Sequence, residues 1–217
     1  MLIVFDGVYS AGKSTLIRTV LDRLRLESGA PVVVTEWNSS EIVGDLIPVW
    51  KRDGRLGAHS LLFVEAADLA HRCEQVIQAQ LDTGGTVLAD RYVLSAIARS
   101  VIRGADPALV HRVFDFAPRE SLTVLVECAP EVTLRRREAL GKHLGGYHSG
   151  RDYRRSASVA DDFVRYQAEM AALYRTLAPS RGEVVAVNSE HPVERCVDTV
   201  LTAVAAVSGR GVPAGRS

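Results

Sequence analysis

The sequence predicts an α/β domain in which five strands form a mostly parallel sheet covered by helices on both faces. Short β-branched runs recur along the chain, at Leu2 to Phe5, Val32 to Val34, Val87 to Ala89, Leu122 to Val126 and Val184 to Val187. Runs this short and this continuously apolar suit strands buried on both faces. Long amphipathic stretches separate them, and strands joined by helical crossovers run parallel. The length of 217 residues fits one domain, at roughly 100 to 200 residues per domain. That domain is expected over residues 1–207, followed by a flexible tail at 208–217.

Helical patterns cover roughly residues 13–27, 58–82, 93–103, 107–116, 130–140, 159–178 and 192–207. Several carry their own start or stop signals: Gly29-Ala30-Pro31 ends the first, Thr83-Gly84-Gly85 the second, and Asp106-Pro107 opens the fourth. Residues 141–157 break the alternation. They are rich in glycine and arginine and almost free of aliphatic side chains, which predicts a surface loop or short lid.

Lysine plus arginine (26) balances aspartate plus glutamate (26). A neutral chain has no general attraction for polyanions, so neither nucleic acid nor an anionic membrane is an expected partner. Hydrophobic residues at 47% with 24% charged exclude a disordered chain. Cys73, Cys128 and Cys196 are odd in number, widely spaced and without a CxxC pair, so they are read as buried small hydrophobes in a reducing compartment. No apolar stretch reaches the 18 to 20 residues a membrane span needs, and the amino terminus lacks the basic flank of a signal peptide. A cytoplasmic location is expected.

The first strand runs into Gly7-Val8-Tyr9-Ser10-Ala11-Gly12-Lys13-Ser14-Thr15, which satisfies G-x-x-x-x-G-K-[ST]. In such a loop, successive N–H groups and the following helix amino terminus face a phosphate. Gly7, Ser10, Ala11, Gly12, Lys13, Ser14 and Thr15 are therefore candidate nucleotide-binding residues. Lys13 would reach the β and γ phosphates and Ser14 would ligate Mg²⁺. The third strand ends in Asp90-Arg91-Tyr92, where Asp90 is placed to be the second metal ligand. Arg91, standing where a hydrolase would carry glutamate, suits clamping an anionic acceptor. The guanine-reading Asn-Lys-x-Asp is absent, which argues against a GTP switch.

Asp6-Gly7-Val8 into Gly12-Lys13-Ser14-Thr15, then Asp90-Arg91-Tyr92-Val93-Leu94-Ser95, Arg103-Gly104-Ala105-Asp106-Pro107, Phe116-Ala117-Pro118 and Pro130-Glu131-Val132 together resemble the thymidylate kinase family. The resemblance runs from about residue 2 to residue 205 and is weakest in the lid. It implies a P-loop kinase with a five-stranded parallel sheet, ATP with Mg²⁺ as donor, a nucleoside monophosphate as small-molecule acceptor, and a homodimer. It also places Arg91 and Ser95 at the acceptor.

The chain departs from the family pattern in three places. Tyr9 replaces an acidic residue in the phosphate loop, unless lid arginines compensate for it, and of Arg135, Arg136, Arg137, Arg151, Arg154 and Arg155 the first candidates for phosphate are Arg137 and Arg151. After the second strand, Thr35-Glu36-Trp37-Asn38 replaces a stretch whose arginine touches the acceptor phosphate. On the helix through Phe63 to Arg72, counting back from Asp90 without a gap puts Glu65 at the family's stacking phenylalanine and Leu69 at its base-reading arginine. Arg72, one turn beyond Leu69, is the candidate to take over that reading, and Trp37 to supply the stacking face. Glu36 follows the second strand at the sheet's carboxyl edge, where the chain resembles nucleoside kinases whose glutamate takes the proton of a hydroxyl acceptor; capping the next helix or pairing with Arg91 are the other roles open to it. A kinase for a free hydroxyl, and a nucleotide-binding module without turnover, therefore stand as alternatives. The six histidines show no paired metal spacing.

Overall fold

A computed structural model of the protein describes residues 1–28 and 31–209. Gly29 and Ala30, expected to help end the first helix, and most of the expected tail lie outside the described residues. Strands β1 Leu2–Gly7, β2 Val32–Glu36, β3 Thr86–Asp90, β4 Leu122–Glu127 and β5 Val184–Asn188 form one sheet in the order β2-β3-β1-β4-β5. All four pairings are parallel. The helices are α1 Lys13–Ser28, α2 Leu46–Arg52, α3 Ala58–Arg72, α4 Gln78–Asp82, α5 Val93–Val101, α6 Pro107–Val113, α7 Pro130–Ala139, α8 Val159–Leu177 and α9 Val193–Ser208.

Alternation along the strands divides the core in two. Ile3 and Phe5 pack with residues of α1, α8 and α9, such as Leu16, Met170 and Val200. Leu2 and Val4 pack on the other side with residues of α3, α5 and α6, such as Leu69, Ile97 and Val110. The parallel register brings Glu36 beside Asp90 and Phe5 beside Asp90, so the ends of β1, β2 and β3 open on one edge. There the loops that carry the chemistry begin.

The chain differs from the sequence-based expectation in several elements. Helix α2 was not expected, because it is only seven residues long and carries Pro48 in its first turn. The pattern over 58–82 is two helices joined by a π turn at Cys73–Ile77. The 107–116 segment stops at Val113, and the last helix continues through Ser208 into the expected tail. Segment 141–157 is not wholly irregular: it holds a 3-10 turn at Tyr147–Ser149 with both of those residues buried. Its anchor is aromatic rather than aliphatic: the Tyr147 ring packs under Arg103 at 4.1 Å and Lys51 at 4.6 Å. All three cysteines are free and buried. No helix among the described residues is long and apolar enough to cross a membrane.

Candidate active site

Gly7 ends β1 with φ +147°, and a Cβ there would lie 2.2 Å from the Val126 carbonyl oxygen. Glycine is thus required both by dihedral angle and by the close approach of β4. The loop beyond it curls so that Lys13 returns over its start, its Nζ donating to the Val8 carbonyl at 3.0 Å and the Gly7 carbonyl at 3.4 Å. Burial, with Arg91 nearby, pulls the Lys13 ammonium down to about 7. Ser14 Oγ donates to Asp90 Oδ2 at 3.2 Å, joining the first turn of α1 to the end of β3.

Two clefts flank this centre. One, of about 600 Å³, is lined by Ser10, Gly12, Lys13, Ser14, Thr15, Arg136, Arg137 and Lys142. The other, of about 500 Å³, is lined by Glu36, Trp37, Asn38, Lys51, Arg52, Arg99, Tyr147 and His148, among others. Both clefts share Tyr9, Asp90 and Arg91 as their common wall. Among the described residues, the non-glycine positions with positive φ are Ser10, Asn38 and Arg91, and each lines at least one of the clefts. Such strain persists only where surrounding structure fixes it, and it collects at functional sites.

Arg91 is buried and fixed by three acceptors from one nitrogen: the Gly7 carbonyl, Ser95 Oγ and Tyr174 OH at 2.9 to 3.1 Å. The loop after β2 is held by Asp68, whose carboxylate accepts from the backbone N–H groups of Asn38 and Ser40 and from Arg72 Nε. Tyr9 is clamped from both faces. His148 stacks on it with centroids 3.8 Å apart and planes 4° from parallel, and the Arg137 guanidinium lies 4.6 Å from its centroid. The Gln167 amide completes the clamp by accepting from Tyr9 N–H and donating to the His148 carbonyl. His148 is held neutral, burial and the charges of Arg99, Lys51, Arg91 and Arg137 pushing it well below the usual imidazole range.

Of the candidate residues, Ser10, Gly12, Lys13, Ser14, Thr15, Arg137, Glu36, Trp37, Asp90 and Arg91 line the clefts, while Gly7 and Ala11 shape the loop from behind. Four candidates stand elsewhere. Arg151 lines neither cleft, because Asp162 in the first turn of α8 takes its guanidinium at 2.7 Å. Ser95 is sealed beneath Arg91, donating to Asp6. Arg72 bonds Asp68 and Thr35 and lines a separate groove behind β2. Glu65 is fully buried and binds Lys51 Nζ at 2.7 Å and Trp37 Nε1 at 3.3 Å. It acts through cleft residues without lining the cleft itself. Leu69 is buried in apolar core.

Lys51, Arg99, Tyr147 and His148 are among the cleft residues that sequence reasoning missed, while Arg136, named only behind Arg137 and Arg151, lines the cleft of the phosphate loop. A signal for Arg99 existed: Ser95 and Arg99 are four residues apart on an otherwise apolar stretch, which puts them on one face of α5, with Arg91 just before that helix. For metal binding, the chain offers one hydroxyl and one carboxylate at Ser14 and Asp90, and no cluster of three or more His, Cys, Asp or Glu occurs among the described residues. Two hard oxygen donors fit Mg²⁺, which keeps waters and takes phosphate oxygens for its remaining positions.

Residues 5–200 match the thymidylate kinase family model. The probable thymidylate kinase 2 of Saccharolobus solfataricus is 29% identical over 194 residues, covering 89% of this chain and 90% of that protein. A thymidylate kinase of Nitratidesulfovibrio vulgaris is 26% identical across the whole chain and 99% of its own. One from Oleidesulfovibrio alaskensis reaches 34% over 63% of this chain and 67% of its own. Together with the phosphate loop, the sheet order and the paired clefts, these matches show that the chain is a phosphotransferase belonging to the thymidylate kinase family.

Proposed function

We propose that the protein moves the γ-phosphoryl group of ATP onto a monophosphate acceptor other than dTMP. The observation that carries this reading is the pair of clefts meeting at Tyr9, Asp90 and Arg91. The cleft with the phosphate loop takes ATP, and its neighbour takes the acceptor. The acceptor cleft has Lys51, Arg52, Arg91 and Arg99 against Glu36 and Asp90, which suits an anion. Both positions at which the family would read thymine, Glu65 and Leu69, are withdrawn from it.

Phosphoryl transfer needs positioning and charge neutralisation more than covalent work. Lys13 leaves the loop carbonyls for the β and γ phosphate oxygens, and Arg91 stands on the shared wall to orient the incoming acceptor oxygen. Arg137 lines the donor side. Ser14 and Asp90 would hold Mg²⁺, which when bound adds charge neutralisation on the transferred group. A monophosphate oxygen is already anionic, so no general base is required.

A second reading, transfer to a free hydroxyl, is favoured by Glu36, an exposed carboxylate on the acceptor cleft paired in register with Asp90. Measuring ADP formation with nucleosides and monophosphates separates the two. dTMP is expected to give a kcat/KM at least about 10² below the best acceptor, since it loses a stacking platform and a hydrogen-bonding reader. Glu36→Gln should leave monophosphate turnover unchanged or faster; a loss of roughly 10² to 10⁴ in kcat would establish the base and the hydroxyl acceptor instead.

The acceptor site should also titrate. Burial pulls Lys51 down to about 8, against the opposing pull of Glu65. An anion in the cleft favours the charged form, so its binding takes up a proton above pH 8 and weakens as pH rises. The acceptor KM is expected to increase by up to about tenfold per pH unit above 8, where a phosphate monoester is already fully ionised. Lys51→Met should abolish that slope while raising KM at pH 7.

A further inference from the structure

Arg99 is a buried cation with an incomplete set of partners. It is 5% exposed, and its nearest carboxylate oxygen, on Glu65, lies 3.8 Å away, beyond hydrogen-bond reach. Among the described residues no oxygen accepts a hydrogen bond from its guanidinium, which lies 5.9 Å from the face of Trp37 and shares its surroundings with Tyr147, Tyr166 and Tyr174. A guanidinium cannot shed its proton to escape such a site. Buried charges without hydrogen-bonded counterparts are costly, and Arg99 lines the acceptor cleft.

The surrounding charge does not cancel it. Lys51 takes the close contact with Glu65 at 2.7 Å, so two cations share one carboxylate. Burial pushes Asp6 toward its neutral form, and the charge it does carry interacts more with Arg91 than with Arg99. On the same wall the Tyr147 hydroxyl is buried without a partner. Glu65 itself is sealed from the cleft, so the missing anion must come from outside. Of the two clefts, Lys51, Arg99 and Tyr147 line the acceptor cleft alone, whereas Asp90 and Arg91 also line the cleft of the phosphate loop, and the Arg91 guanidinium already has oxygen acceptors in Gly7, Ser95 and Tyr174. The unpaired cation thus lies on the part of the acceptor cleft that the phosphate loop does not share.

We propose that Arg99, with Lys51 and Tyr147, seats a second anionic group of the acceptor, so that the acceptor is a monophosphate carrying a further carboxylate or phosphate at its distal end. The proposal rests on the phosphotransferase reading for the reaction, but the seat itself is a binding property. Arg99 offers the bidentate fork that matches either anion.

The test compares acceptors that differ by one charge: orotidine 5′-monophosphate against uridine 5′-monophosphate, and adenosine 3′,5′-bisphosphate against adenosine 5′-monophosphate. The wild type should favour at least one doubly charged member by about tenfold or more in kcat/KM. Arg99→Met should lose roughly 10- to 100-fold with that member alone, as expected for one charge-assisted hydrogen bond, with the ATP KM unchanged. Equal use of both members of each pair by wild type and Arg99→Met would overturn the seat while leaving the kinase reading intact. Binding is read separately from Trp37 emission in a Trp50→Phe background, with the same four compounds and ADP present. A response to the doubly charged compounds that disappears in Arg99→Met upholds the seat even without turnover. The same response in both proteins, or none in either, overturns it.

Discussion

Lys13→Ala should lower turnover by about 10² or more at saturating ATP, with the fold intact. The side chain is 6% exposed and rests on two loop carbonyls, contacts that an ammonium can exchange for phosphate oxygens without moving the backbone. Truncation removes the charge from the place where negative charge concentrates during transfer. Loss of one preorganised electrostatic contact there costs about 3 kcal/mol in the barrier, roughly a factor of 10². Asp90→Asn should fall by a comparable factor for a different reason: it keeps the hydrogen bond from Ser14 but removes the carboxylate charge. Steady-state ADP formation, beside a thermal melt of each variant, is the measurement. A folded Lys13→Ala protein with wild-type turnover would refute the transfer mechanism.

The fold was legible because its signals are local. Each strand is a short, largely apolar run, and each long helix has a periodic stripe, so neither depends on knowing the neighbours. The runs are buried on both faces in the central β1, β3 and β4 and partly exposed in the edge strands β2 and β5, where the expectation of full burial fails. The phosphate loop was legible for a related reason, since its backbone shape demands glycine at particular positions, as the contact of Gly7 with Val126 shows. The acceptor cleft was less legible because it is assembled across the sequence. Lys51 comes from α2, Arg99 from α5 and Tyr147 from the lid, and no spacing rule links them. Arg151 shows the converse error. Its segment looked free to reach phosphate, but Asp162, eleven residues on, holds it at the first turn of α8. Arginine count alone could not decide which guanidinium faces the nucleotide; the carboxylates left over decide it.

The same accounting predicts what Glu65 does for stability. Glu65 is fully buried, and burial alone would raise its carboxyl. Lys51 and Arg99, with hydrogen bonds from Lys51 and Trp37, outweigh burial and hold it below the usual carboxylate range. A carboxyl depressed on folding adds stability above its unfolded value of about 4.3, and that stability is lost as pH falls through the folded value. Glu65→Ala leaves a lysine and an arginine buried together without their shared anion, a change that costs about 3 to 5 kcal/mol. Against a total of about 5 to 15 kcal/mol for a domain, such a variant sits close to the unfolding threshold. The melting temperature should drop by about 6 to 20 °C, at 2 to 4 °C per kcal/mol for a chain of this size. Glu65→Gln, which can still accept hydrogen bonds, should lose less. Combining Glu65→Ala with Arg99→Met removes one of the orphaned cations, so the double variant should be more stable than Glu65→Ala alone in urea titration. If the double variant is instead the less stable, by the sum of the two single losses, Glu65 and Arg99 act independently and the shared-anion account of the acceptor wall fails.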